Sequence, residues 1–128
     1  MRLWTSAILA SLLSLSLTLA ADEPKPVGPA EAAKQIDNQV TLHMEVKSAA
    51  SRQGVCFLNS EEDFKDAQNF TVFLDKEALA KFQEAKVEDP AAHYKGKMIE
   101  VKGKVTLYKA RPEIKVGGPD AIKVLEKK

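Results

Sequence analysis

Between Lys97 and Leu125 the chain alternates apolar and charged residues with a period of two, a pattern that admits little except β-sheet. Ile99, Val101, Val105, Ile114, Val116, Ile122 and Leu125 form the apolar set. Glu100, Lys102, Lys104, Glu113, Lys115 and Lys123 form the wet one. The stretch divides into a long strand, a break at Lys109-Ala110, a second strand, a turn through Gly117-Gly118-Pro119-Asp120 and a last short strand. Gly103 falls inside the long strand, where a missing side chain marks a bend or a close backbone approach. Three strands in 29 residues with a glycine at the bend predict a small, strongly curved sheet.

The preceding residues add three more strand patterns. Val40, Leu42, Met44 and Val46 alternate with Thr41, His43 and Glu45. Gly54 to Asn59 places Cys56 and Leu58 on one side and Val55, Phe57 and Asn59 on the other. Phe70, Val72 and Leu74 face away from Thr71 and Phe73. Polar segments separate these strands, and both read as loops: Lys47 to Gln53, and Ser60 to Asn69 with its four acidic residues. Asp75 then has the character of a helix cap. Lys76 to Val87 carries Leu79, Phe82 and Val87 on one helical stripe, and Glu88-Asp89-Pro90 is a stop signal. A shorter helix is expected at residues 29–36, opened by Pro29 at a position where the missing N–H is tolerated.

The first 21 residues are expected to be a cleaved signal peptide. Arg2 is their only charge, an apolar run follows from Ala7, and Thr18-Leu19-Ala20 ends it with small residues. The apolar run is about 15 residues, short of the roughly 20 that span a bilayer, so no stable membrane insertion is expected after cleavage. Residues 22–29, rich in proline, read as a flexible tether, leaving residues 30–128 as one domain of an exported protein, periplasmic or secreted. Without Arg2 the chain balances 18 basic against 18 acidic residues. The balance is uneven along the chain. Residues 21–94 hold 8 Lys/Arg against 14 Asp/Glu, and residues 95–128 hold 10 against 4. That split suits either a basic binding face or solvated lysines beside an acidic loop. Cys56 is the only cysteine, so no intramolecular disulfide is available, and its apolar neighbours make it a core residue.

Strand, strand, strand, helix, strand, strand is the order of the OB-fold. The expected architecture is all-β with accessory helices: a five-stranded Greek-key barrel with a helix between strands three and four. Closure of such a barrel removes exposed edges from a short chain. Several segments resemble the small exported bacterial OB-fold domains classed as nucleic-acid-binding. They are Ala30-Glu31-Ala32-Ala33, Val40–Val46, Phe57-Leu58-Asn59, Phe70-Thr71-Val72, Tyr94-Lys95-Gly96-Lys97 and Arg111-Pro112-Glu113-Ile114, in that order. The resemblance covers residues 30–125, and its most specific parts are Phe-Leu-Asn and the run from Tyr108 to Ile114. The chain departs by carrying Ala110 before Arg-Pro-Glu-Ile and Asn38 before the first strand, where such domains usually have glycine.

The resemblance implies a binding module that stacks bases on aromatic side chains and follows the backbone with cations. Phe57 and Phe73 are the aromatics expected on the outward side of the central strands. Arg52, Asn59, Tyr108 and Arg111 are expected at the edges, with Lys102 and Lys104 adding charge. The acidic run Glu61-Glu62-Asp63 opposes phosphate and favours the other reading of the same fold, an envelope module for a protein, peptide or small ligand. An enzyme is not expected. His43 and His93 lack metal-ligand spacing, there is no glycine-rich phosphate loop, and the acidic loop lacks the glycine and terminal glutamate of a known calcium loop. No cofactor or metal site is expected.

Overall fold

The computed structural model describes residues 25–125. The expected signal peptide, the first residues of the tether and the last three residues of the chain lie outside the described residues.

Seven strands form the sheet: β1 (Gln39–Glu45), β2 (Ser48–Arg52), β3 (Val55–Asn59), β4 (Thr71–Leu74), β5 (Met98–Tyr108), β6 (Arg111–Val116) and β7 (Ile122–Val124). They are hydrogen-bonded in the order β1-β5-β6-β4-β3-β2, with β7 added to β5. All pairs are antiparallel except β4 with β6. This corrects the expected closed five-stranded barrel: the sheet is an open, mixed path of seven strands, consistent with an OB-fold. The two ends of that path, β1 and β2, are consecutive in the chain and joined through Val46-Lys47. Across this joint the Val46 N–H donates to the Lys97 carbonyl and the Lys47 N–H to the Asn59 carbonyl.

β2 is the strand that pattern reading treats as a loop. Ser48-Ala49-Ala50-Ser51-Arg52 has no apolar alternation and low intrinsic strand preference. Its pairing with β3 is imposed by the turn at Gln53 and Gly54, both at positive φ (52° and 83°), as in the tight hairpin turn whose twist matches the flanking strands. The break at Lys109-Ala110 has the same character, with φ of 52° and 66°. Ala110 therefore adopts the left-handed conformation that favours glycine, and Tyr108 and Arg111 still pair across the turn. At the other departure the left-handed residue is Asp37 (φ 72°) rather than Asn38, so no glycine is needed to open β1.

Gly103 lies where β5 changes partners. Residues 98–104 of β5 pair with β1, and residues 105–108 pair with β6. A Cβ at Gly103 would stand 2.6 Å from Ile114 Cγ2, so the crossing of these strands has no room for a side chain.

The core is the apolar face read from the alternation: Val40, Leu42, Met44, Cys56, Leu58, Val72, Leu74, Ile99, Val101, Val105, Ile114 and Val116 are all buried. α2 (Lys76–Glu84) packs on β3 and β4, and α3 (Pro90–Tyr94) packs on β2 and β3. Asp75 caps α2 by accepting from the Ala78 N–H at 2.9 Å, as expected. α2 ends at Glu84, short of the expected Val87, with Lys86 left-handed just beyond it (φ 73°). Asp89-Pro90 opens α3, where Asp89 accepts from the Ala92 N–H. Phe82 and Tyr94 join the two helices edge to face at 6.1 Å. α1 is the short Pro29–Ala32 turn. Ahead of it the expected tether is tied to the sheet at Val27, which donates to Thr41 and accepts from His43.

Candidate functional site

The outward face of β3, β4 and β6 is built in cross-strand rows. Ala50, Phe57, Phe73 and Lys115 are successive partners in one row, and Ser48, Asn59, Thr71 and Glu113 in the next. Directly opposed residues project to the same side of a sheet, so the two rows form a floor. The β5–β6 turn, with Tyr108 and Arg111 opposite each other, closes one end. The loop of residues 60–70 folds beside it and contributes Phe64.

A cavity of about 330 Å³ opens between these parts. Arg52, Phe57, Asn59, Tyr108 and Arg111, five of the residues singled out from sequence, line it. Phe73 does not, but its ring stacks on Phe57 at 5.3 Å with a 40° tilt, so the pair forms one continuous aromatic ledge. Lys102 and Lys104 are exposed and stand apart. They share the polar side of β5 with Tyr108, but pair with Thr41 and Gln39 at the far half of the strand. At about 3.3 Å per residue they lie up to about 20 and 13 Å along the strand from Tyr108.

Six further lining residues were not singled out: Ala50, Phe64, Thr71, Lys109, Pro112 and Glu113. Phe64 sits in a loop that reads as acidic and solvated, and only the folded loop brings it to the cavity. Glu113 and Thr71 carried a signal, since each alternates with core residues and must face outward. Phe64 and Tyr108 are more than half exposed, at 52% and 57%, and each has a lysine ammonium near its ring, Lys65 at 5.8 Å and Lys109 at 5.4 Å.

The loop is held by two devices. Arg111 reaches across to its backbone and donates to the carbonyls of Phe64 (2.9 Å), Lys65 (3.3 Å) and Asp66 (3.4 Å). Buried Asn69 is the second. Its Oδ1 accepts from the Glu61 N–H, and its Nδ2 donates to Asn59 Oδ1 and Thr71 Oγ1. Asp63 and Asp66 each accept from a backbone N–H two residues on. The loop is therefore an ordered wall, with residues 62–68 still exposed to solvent.

Burial pushes the Glu113 carboxyl above its ordinary range, with Lys115 partly offsetting it. Away from the cavity, His43 Nε2 lies 2.9 Å from Glu100 Oε2, and Lys123 approaches the other oxygen at 3.6 Å. That hydrogen bond holds the Glu100 carboxyl below the usual carboxylate range. Among the described residues no group of three or more His, Cys, Asp or Glu is arranged to hold a metal ion. No helix among them is long and apolar enough to cross a membrane.

No protein-family model matches the chain, and comparison with characterised protein sequences found no match. Solved structures do match. An aspartyl-tRNA synthetase from Entamoeba histolytica is 15% identical with a TM-score of 0.53, over 88% of this chain and 24% of that one. An asparaginyl-tRNA synthetase from Pyrococcus horikoshii is 17% identical with a TM-score of 0.53, over 78% and 23%. OBody AM1L10, in a structure bound to hen egg-white lysozyme, is 17% identical with a TM-score of 0.50, over 91% and 100%. The chain spans about a quarter of the synthetases' length. At these identities the likeness is one of fold, and it supports the OB-fold reading of the open seven-stranded sheet.

Proposed function

We propose that this chain is an exported, non-catalytic OB-fold module that binds single-stranded nucleic acid, with little sequence preference along most of the strand. One observation carries the reading: Arg52, Phe57, Asn59, Tyr108 and Arg111, distant in sequence, surround one cavity on the outward face of the sheet. Aromatic ledges with nearby cations suit base stacking and backbone contact, and each stack is worth roughly 1–3 kcal/mol. Two of the similar structures are tRNA synthetases, which agrees with a nucleic-acid partner. The test is a fluorescence-anisotropy titration of residues 22–128 with a labelled single-stranded DNA at low and moderate salt. The expected result is binding that weakens steeply with salt. A flat trace at low salt contradicts it.

A second reading is an envelope module for a protein, peptide or small ligand. It is favoured by the exposed apolar tip of the β5–β6 hairpin, where Leu107 and Tyr108 both face solvent. OBody AM1L10, of the same fold, is seen with a protein partner. This reading expects a co-purifying partner and no change in thermal stability on adding oligonucleotide.

A further inference from the structure

The floor of the cavity carries two polar groups that the fold itself does not use. Asn59, Thr71 and Glu113 are direct neighbours across β3, β4 and β6, and all three line the cavity. Asn59 is 5% exposed, and the hydrogen-bond network fixes which way its amide points. Because Asn69 Oδ1 accepts from the Glu61 N–H at 3.1 Å, Asn69 must offer its nitrogen to Asn59 and Thr71. The Thr71 hydroxyl, already an acceptor, gives its own proton to Asn59 Oδ1 at 3.0 Å. Asn59 therefore presents its carbonyl to this network, and its Nδ2, a two-proton donor, has no partner among the described residues. A buried amide nitrogen left unpaired is unfavourable, and a bound acceptor would pair it.

Two strands away stands Glu113. Its carboxylate is half-buried at the cavity and makes no hydrogen bond or ion pair among the described residues. Neighbouring strands lie about 4.8 Å apart, so roughly 10 Å separates the two backbones, with Thr71 between them. The space above is walled by the flat rings of Phe57, Phe64 and Tyr108. Its volume is at the small end of ligand pockets. A flat ring with an acceptor at one end of its edge and N–H donors at the other satisfies both groups.

Among the bases that description selects one. Guanine presents O6 as an acceptor beside N1–H and N2–H₂ as adjacent donors, which a carboxylate takes together. Thymine and uracil set a single N–H between two carbonyls, which a carboxylate repels. Adenine and cytosine offer one exocyclic amine beside a ring acceptor, so only half of the carboxylate is used. Unstacked bases in single strands are read in this way, by stacking on aromatics and hydrogen bonds to the Watson–Crick edge. We infer that the cavity over Asn59, Thr71 and Glu113 is a guanine-reading pocket, with Glu113 accepting from N1–H and N2–H₂ and Asn59 donating to O6. The inference rests on the nucleic-acid reading above and adds one selective position to an otherwise sequence-tolerant strand.

The test uses five labelled eleven-nucleotide strands, all thymidine except for a central T, G, inosine, A or C, titrated against the protein. Guanine at the centre is expected to bind about tenfold more tightly than thymine, in line with the discrimination of a bidentate base contact. Inosine, which keeps N1–H and O6 but lacks the amine, falls between them. Glu113→Gln keeps the shape and removes the bidentate acceptor. It is expected to abolish the guanine preference, bringing the guanine and all-thymidine strands to within about twofold of each other, and Glu113→Ala should do the same. Equal, salt-sensitive binding of all five strands, or a preference for A or C, overturns the pocket and leaves the nucleic-acid reading standing. No binding of any strand overturns both. A guanine preference that survives both variants also overturns the assignment.

Discussion

Burial raises the Glu113 carboxyl pKa above its ordinary range, so the folded state holds its proton more tightly than the unfolded chain does. The resulting penalty is present at neutral pH and fades as pH falls through the folded value. Glu113→Gln is therefore expected to leave the melting temperature at pH 7 unchanged or raise it, and a clear drop would show that the carboxylate is structural. Asp75 has the opposite sign. The Ala78 N–H, with lesser help from Lys115, holds its carboxyl low. Its stabilisation is present above the ordinary carboxylate range and is lost as pH falls. Asp75→Ala should cost about 1 kcal/mol at pH 7, as loss of an N-cap does, and the deficit in denaturant melts should shrink toward acid. Cys56 is fully buried and its thiol is pushed up to about 11, mainly by burial. At this scale much was legible in the sequence. Asp75, Cys56 and the outward Phe57 and Asn59 follow from capping and alternation. Phe64 did not, because nothing in a polar run of ten residues signals that one aromatic will be set beside the cavity by a loop tied to the distant Arg111.

The β5–β6 hairpin and the 60–70 loop act as one element through Arg111. Arg111→Met removes all three donations to the loop carbonyls while keeping an apolar stem. Amide exchange in residues 61–68 should then quicken, with β3 and β4 unaffected; unchanged loop exchange would mean that the Asn69 network suffices alone. The turn itself carries a cost, because Ala110 is left-handed at φ 66°. Ala110→Gly should stabilise the domain by about 1 kcal/mol in chemical denaturation. Gly103→Ala should destabilise by about 1–3 kcal/mol, since its Cβ has no space against Ile114. The break at Lys109-Ala110 and the bend at Gly103 were visible as interruptions of an alternating pattern. β2 and α3 were not. The first is a strand only because a left-handed turn lays it on β3. The second is a five-residue helix held by Asp89 and by the packing of Tyr94 on Phe82.

For the molecule as a whole, six of the seven strands and a single apolar core could be read from periodicity, whereas β2, the open order of the sheet, the partner exchange along β5 and the parallel β4–β6 pair could not. Those long-range pairings are what bring residues 50–59 beside residues 108–113 and so create the cavity. They also separate Lys102 and Lys104 from it, dividing the polar side of β5 into a lysine end and an aromatic end. Ligand contact is expected to be confined to the aromatic end and its floor. The direct measurement is the change in backbone amide resonances of ¹⁵N-labelled protein on adding a single-stranded oligonucleotide with one central guanine. The largest shifts are expected at residues 50–59, 64–73 and 108–113, with β7 and the His43–Glu100 pair unmoved. Shifts centred on β1, β7 or the helices, with the cavity silent, would contradict it.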